Sequence, residues 1–503
     1  MKRASILLMI TTIFSKIIGF IRETVVAAVL GRTSPLTQAY TYSFNLPNTL
    51  FALLSAAFVT GYIPMYTRVE SEEGKERANA FTNNVLNMML LVGMIISLAF
   101  FFFTEPLLHL LLPSASPETM FYYVQFVRVA VFSVLGTCFY TILTGYLNIK
   151  NAFVVANLLG IPMSIVVIIS LYLSKTYGYM WIPHGINLGY AFQAILIVLY
   201  AYKKGFKYEF HINFKDEHVR TMLIIALPLI IGSSTSTLGN LIKQGIISGT
   251  DDGLATWNFA MRVASMASAI FATSVINVTY PAVSRSIIAG KTEETKKHFG
   301  DSLVSMLLFI VPSVVGLFVL AKPIIQLVYM RGEFLASDVW PTALVLMAFS
   351  LSLIPTVIMQ LTQRIFYGYQ DTITPMISSI LTIAIQIVIS FTLYQWWGVP
   401  GATLGTAISA FFGMLYLGIK LKKKFITFPT KKYSKQIVKV LIASVIMGVV
   451  AYGSYWILTW FLSSNLSTLL SIALSGASYL LLILYLRIEA VDNLIQSFKS
   501  RRG

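Results

Sequence analysis

Two cations and a carboxylate interrupt the first hydrophobic stretch of this 503-residue chain, in Ser15-Lys16-Ile17-Ile18-Gly19-Phe20-Ile21-Arg22-Glu23. Their chemistry is anion binding: arginine offers paired N–H donors to a phosphate, and lysine a point charge. A cation near the middle of a membrane helix costs about 2.5–3.5 kcal/mol on insertion scales, so it faces a bundle interior or wet cavity and marks a substrate path. Asn45 and Asn48, on one helical face with Pro47 between them, add polar amides in the second stretch. Lys243, one turn from Asn240 and beside Gln244, and Arg262 add two more cations further along. Lys16, Arg22, Lys243 and Arg262 thus stand against a single well-embedded carboxylate, Glu23, which reads as an internal counter-ion. That balance favours an anionic substrate, since a cation exporter should embed Asp or Glu instead.

The element that must position Lys16 and Arg22 is a helix. At about 100° per residue, Ser15, Arg22, Gly19, Thr12, Glu23 and Lys16 fall within an arc of about 120°. Ile17, Ile18, Phe20 and Ile21 fill the other side, toward lipid or neighbouring helices. Composition generalises this: 56% hydrophobic residues, 11% charged and a mean hydropathy of +0.76 describe an all-α polytopic membrane protein. About fourteen transmembrane helices are expected, near residues 4–30, 36–66, 82–104, 120–147, 152–174, 182–202, 221–248, 253–283, 301–321, 338–366, 373–395, 398–419, 437–460 and 467–486. The first is too long, and too charged at Lys16 and Arg22, for a cleavable signal, so it stays as a helix.

A net charge of +17 would suggest nucleic acid in a soluble protein, but here it follows topology. Most Lys and Arg fall in loops on one side, with Arg32, Lys175, Lys322 and Arg331 on the other. Both termini are therefore expected in the cytoplasm of a bacterial plasma membrane, with no nucleic-acid partner. The basic stretch from Lys420 to Lys435 reads as a topology signal, with contact to anionic headgroups of membrane lipids as the other reading. Cys138 is a lone cysteine and reads as a small core residue. The five histidines show no metal-ligand spacing and no Walker sequence is present, so no catalytic residue, metal or cofactor is expected. Transport would draw on gradients, membrane potential or consumption of product.

Weak internal similarity recurs at a near-constant offset. Ile63-Pro64-Met65-Tyr66-Thr67-Arg68 answers Tyr280-Pro281-Ala282-Val283-Ser284-Arg285, and Ile182-Pro183 answers Val399-Pro400, both 217 positions on; Gly145-Tyr146-Leu147-Asn148 answers Gly368-Tyr369-Gln370-Asp371 at 223. This predicts two pseudo-symmetric six-helix lobes, residues 1–203 and 204–425, followed by residues 426–503 with two extra helices and a basic tail. The cleft between the lobes is the expected site, with Arg262 falling opposite Asn45 under the repeat.

Four stretches resemble the MurJ (MviN) family of lipid II flippases within the multidrug/oligosaccharidyl-lipid/polysaccharide exporter superfamily. They are the Ser15–Glu23 segment; Leu46-Pro47-Asn48 with Ile63-Pro64; Asn258-Phe259-Ala260-Met261-Arg262; and Arg331-Gly332-Glu333-Phe334 with Phe366-Tyr367-Gly368-Tyr369-Gln370-Asp371-Thr372-Ile373-Thr374-Pro375. The resemblance implies a fourteen-helix flippase that moves undecaprenyl-pyrophosphate-linked disaccharide-pentapeptide, lipid II, from the inner to the outer leaflet by alternating access for peptidoglycan synthesis. It gives Arg22 and Arg262 the roles of cavity arginines, sets Lys16 where a further arginine is common, and assigns the last two helices a lipid-binding groove. The chain departs from the family at Gln38, where an acidic residue is common, and at Thr49-Leu50-Phe51-Ala52, where paired arginines often follow. The expected substrate contacts are Arg22, Arg262, Lys16, Lys243, Asn45 and Asn48, with lipid II, membrane lipids and the cell-wall synthesis machinery as partners. Alternatives are export of another polyprenyl-linked polysaccharide unit, or a non-transporting scaffold or scramblase.

Overall fold

The computed structural model describes the backbone at residues 2–250, 252–424, 430–489 and 491, and their side chains except at 2–10, 48, 50, 52–60, 225–236, 267–282, 284, 288, 424, 430 and 431. Residues suited to break helices set the junctions. α1 (Lys2–Leu30) stops at Gly31; Ser34 then starts α2 (Pro35–Glu73) by accepting from Leu36 N at 3.2 Å, with Pro35 in the first turn, where a missing N–H is harmless. There follow α3 (Lys75–Phe102), α4 (Thr104–Leu111), α5 (Pro117–Ala130), α6 (Ser133–Ile149), α7 (Phe153–Leu158), α8 (Gly160–Tyr177), α9 (Trp181–Lys203) and α10 (Glu217–Ile247). Then come α11 (Gly253–Ile288), α12 (Thr292–Val319), α13 (Ala321–Tyr329), α14 (Ala336–Gly368), α15 (Ile373–Lys424), α16 (Thr430–Leu458) and α17 (Ser464–Tyr485).

α5 and α6 meet at a 47° bend, and α15 carries two of the expected spans, divided at Gly398 (φ 60°, ψ −141°). Among the described residues, eight helices are long and apolar enough to cross a membrane, or nine when α5 and α6 count as one span. The fourteen read from hydrophobicity exceed that number. Exposed Ile95, Phe102, Leu188, Leu199, Phe391, Val449 and Leu481 would be penalised in water and are accommodated by lipid. The chain is an all-α polytopic membrane protein.

Two compact units are present: Met1–Ala255 with Arg331–Phe334, and Thr256–Met330 with Leu335–Gly503. α10 packs on α2 inside the first unit, where Gly61 admits Met222 against the α2 backbone. The segment leading into α10 is strapped to α3 by an asparagine ladder. Asn79 donates to Gly205 O (3.2 Å), Asn83 to Lys207 O (2.8 Å), Asn87 to Glu209 O (3.1 Å) and His211 O (3.2 Å), and Asn84 to Asn213 O (3.0 Å). These amides satisfy backbone carbonyls that an extended segment cannot pair internally.

Three positive-φ positions of the first unit have counterparts at a similar spacing in the second. Positive φ occurs at Gly74 and Gly290, at Asn151 and Gln370, and at Gly178 and Gly398, in that order along each half. Around Asn151, Ala152 N bonds Leu147 O (2.8 Å) and Lys150 N bonds Tyr146 O (3.1 Å); around Gln370, Asp371 N bonds Phe366 O (2.9 Å) and Tyr369 N bonds Ile365 O (3.0 Å). The two turns therefore match 219 positions apart, which corrects the register of 223 suggested by Gly145 and Gly368. A left-handed residue closing a helix fixes the backbone more firmly than glycine identity does.

Candidate functional site

Arg22 is buried in the first unit although it sits within a membrane-length helix. Its guanidinium stacks on Phe44 at 4.1 Å from the ring centroid, and Nη2 donates to Glu23 Oε1 at 2.8 Å. Among the described residues, Nη1 makes only long contacts on α8, to Ser164 Oγ (3.5 Å) and Met163 Sδ (3.7 Å), and Nε has no hydrogen-bond partner. An unsatisfied buried donor costs about 1–3 kcal/mol, so the site retains donor capacity that an anion would use. α1 reaches α7 and α8 through its polar face: Gly160 leaves room for the Ser15 hydroxyl, and Asn157 Nδ2 donates to Thr12 Oγ1 at 3.3 Å. Ile17 and Ile21, on the opposite face, are exposed.

Phe44 belongs to an aromatic platform on α2, stacked on Tyr40 (5.6 Å) and tilted against Tyr190 of α9 (6.0 Å). Asn45, half-buried, turns its Nδ2 back to Thr41 O (2.8 Å), and Thr49 Oγ1 donates to Asn45 O (2.9 Å). These bonds reinforce α2 beside Pro47, which supplies no N–H. The Asn48 side chain lies outside the described residues. Lys16, at the rim of the polar arc, is exposed and does not join the Arg22 cluster. Lys243 is buried on α10 beside buried Gln244. In the second unit, Arg262 is half-buried on α11, one turn after Phe259. There, Tyr329 OH donates to Phe259 O (3.1 Å) and the two rings lie 4.9 Å apart.

Sequence reasoning missed Phe44, Met163, Ser164 and Tyr190 around Arg22. Only Phe44 had a local signal, as the neighbour of Asn45; Ser164 lies 142 positions from Arg22. It also missed the function of Gln38, which is buried, donating Nε2 to Arg32 O (3.1 Å) and accepting Ala255 N at Oε1 (2.9 Å), while Arg32 pairs with Asp252. A neutral amide here both donates and accepts, which a carboxylate cannot. Both parts of the fourth family-like stretch act structurally. Gly332 (φ 58°) lets Glu333 N reach Ala28 O (3.0 Å), with no room for a Cβ against the Ala28 backbone, and Asp371 caps α15 by accepting Thr374 N (2.9 Å) and Thr374 Oγ1 (2.8 Å).

The family model described as "Lipid II flippase MurJ" matches residues 26–471. A probable lipid II flippase MurJ of Vibrio cholerae is 25% identical over 513 residues, covering 97% of each chain. A solved lipid II flippase MurJ in an inward closed conformation aligns with a TM-score of 0.81 and 26% identity, over 96% of this chain and 99% of that one. An inward-facing multidrug resistance transporter of the MATE family shares the fold, with a TM-score of 0.69 and 15% identity over 81% of this chain and 96% of its own.

Proposed function

The chain belongs to the lipid II flippase MurJ family, and from that premise we propose that Arg22 is the principal holder of the lipid II pyrophosphate during passage from the inner to the outer leaflet. It is a multi-pass membrane transporter and not an enzyme. The observation that carries the proposal is the buried guanidinium, whose Nε makes no bond and whose Nη1 makes only long ones among the described residues, while Glu23 holds Nη2. Pyrophosphate oxygens meet Nε–H and Nη1–H separately, since these lie on different edges of the guanidinium fork, and Glu23 keeps the arginine oriented when the headgroup leaves. Phe44 fixes the plane of the fork from below.

Arg262, Lys243 and Lys16 supply further positive charge, and Asn45 and Asn48 polar headgroup contacts. Alternating access among fourteen spans, with both termini cytoplasmic, moves the headgroup while the polyprenyl tail stays in lipid beside the last two helices, delivering the unit to cell-wall synthesis outside. The membrane potential, worth about 2.3 kcal/mol per charge per 100 mV, helps reset a cationic site. Depletion in a strain without a redundant flippase tests the transport step: lipid II should accumulate facing inward, and unchanged sidedness would overturn the proposal. Cysteine labelling at each terminus, with a membrane-impermeant reagent on intact cells, checks the orientation; labelling from outside would reverse it.

A further inference from the structure

A second concentration of cations lies at one end of the second unit. The first turns of α16 and the residues after α17 border a half-open cavity of about 410 Å³ lined by Lys432, Lys435, Gln436, Lys439, Arg487 and Glu489. Its one carboxylate is engaged, with Lys432 Nζ 2.6 Å from Glu489 Oε2. Lys439 Nζ donates to Leu486 O (2.7 Å), capping α17 and fixing the ammonium at the cavity wall. Lys435 and Arg487 make no ion pair among the described residues, and Arg487 holds a left-handed backbone (φ 46°) that is uncommon outside glycine. The excess of three cations in a cavity of this size suits a phosphate group.

The surface adjoining the cavity distinguishes a lipid from a free anion. At about 100° per residue, Ile442 and Ile446 follow Lys435 and Lys439 on one face of α16. Both are exposed, as are Val449 one turn further and Leu481 and Leu484 of α17. Phosphate-binding charge therefore gives way directly to an apolar strip, the profile of an amphiphile's head and chains.

We propose that this cavity binds the phosphate of an anionic membrane phospholipid whose chains run along the exposed strip of α16 and α17. The leaflet, the inner one, follows from the orientation proposed above; the binding itself requires neither that orientation nor lipid II transport. Affinity of the purified full-length protein for fluorescent phosphatidylglycerol and phosphatidylcholine tests it. Phosphatidylglycerol should bind more tightly, and Lys435→Gln/Lys439→Gln/Arg487→Gln should lose roughly tenfold of that affinity. Lys420→Gln/Lys422→Gln/Lys423→Gln, with the same charge loss at the end of α15, should lose none. Equal loss in both variants would make the attraction diffuse and overturn the site, and displacement of the lipid by inorganic phosphate alone would make it a free-anion site. Photoreactive phosphatidylglycerol on the unaltered protein gives a readout independent of variant folding. Crosslinks should map to residues 435–446 and 481–487, and crosslinks confined elsewhere would sink the proposal.

Discussion

The Arg22 cluster and the α16–α17 cavity both gather positive charge, yet they hold it by opposite means. Arg22 is buried, stacked on Phe44 and neutralised by Glu23 at 2.8 Å, whereas Lys435 and Arg487 stay exposed beside a cavity with a net excess of cations. At membrane depth a charge persists only when packing and a partner offset its desolvation; at the membrane edge water does that, and the charge attracts from a distance instead. The shape of the charged group should therefore matter at the first region, and at the second only that a cation of either kind stands at the cavity.

The largest expected effect is on the buried pair. Arg22→Met removes the guanidinium that pairs with the buried Glu23 carboxylate and should destabilise the protein by about 3–5 kcal/mol, measured by thermal unfolding in detergent. Adding Glu23→Gln should restore most of that stability without restoring lipid II transport; recovery of transport would reduce Arg22 to a structural role. Next, Arg22→Lys should keep the charge yet lose most transport, because an ammonium cannot present the planar fork, while Lys435→Arg should leave phosphatidylglycerol binding unchanged. A smaller contrast comes from salt. Raising ionic strength from 0.01 to 1 M shortens the screening length from about 30 to about 3 Å, which should weaken binding at the α16–α17 cavity and leave the Arg22–Glu23 pair intact.

An intermediate case lies where α10 begins. Glu73 meets His218 Nε2 (2.5 Å) and Arg77 (3.2 Å), and Arg77 reaches Asp216 (2.9 Å). The His218 hydrogen bond, then Arg77, holds Glu73 below the usual carboxylate range. Its stabilising contribution is complete above the ordinary carboxylate value and is lost as pH falls through the lowered one. Hydrogen exchange at residues 216–220 should therefore rise on acidification through that window, slightly, since Glu73 is solvent-screened; a Glu73→Gln variant should not show the rise.

Legibility followed the range of each interaction. The polar arc of α1, with Ile17 and Ile21 opposite, was readable because helical period is local; so was the division of α15 near Gly398. The repeat was expected at an offset near 217, and the left-handed turns at Asn151 and Gln370 stand 219 positions apart. Asn83, Asn84 and Asn87 read as ordinary polar residues at a helix start, since nothing near them in sequence announces the segment 207–213 that they hold.

By itself the sequence determined that this chain lives in a membrane as helices, that it carries cations where lipid resists them, and that its substrate side favours an anion. Those conclusions need only composition, period and the energetics of burial. Only the tertiary structure decided that Arg22 enters a packed cluster while Lys16, six residues earlier on the same helix, remains exposed. It also showed that α16 and the end of α17 border a basic cavity. The reason is physical: whether a charge is paired, stacked or solvated depends on residues such as Ser164, brought near by folding across 142 positions.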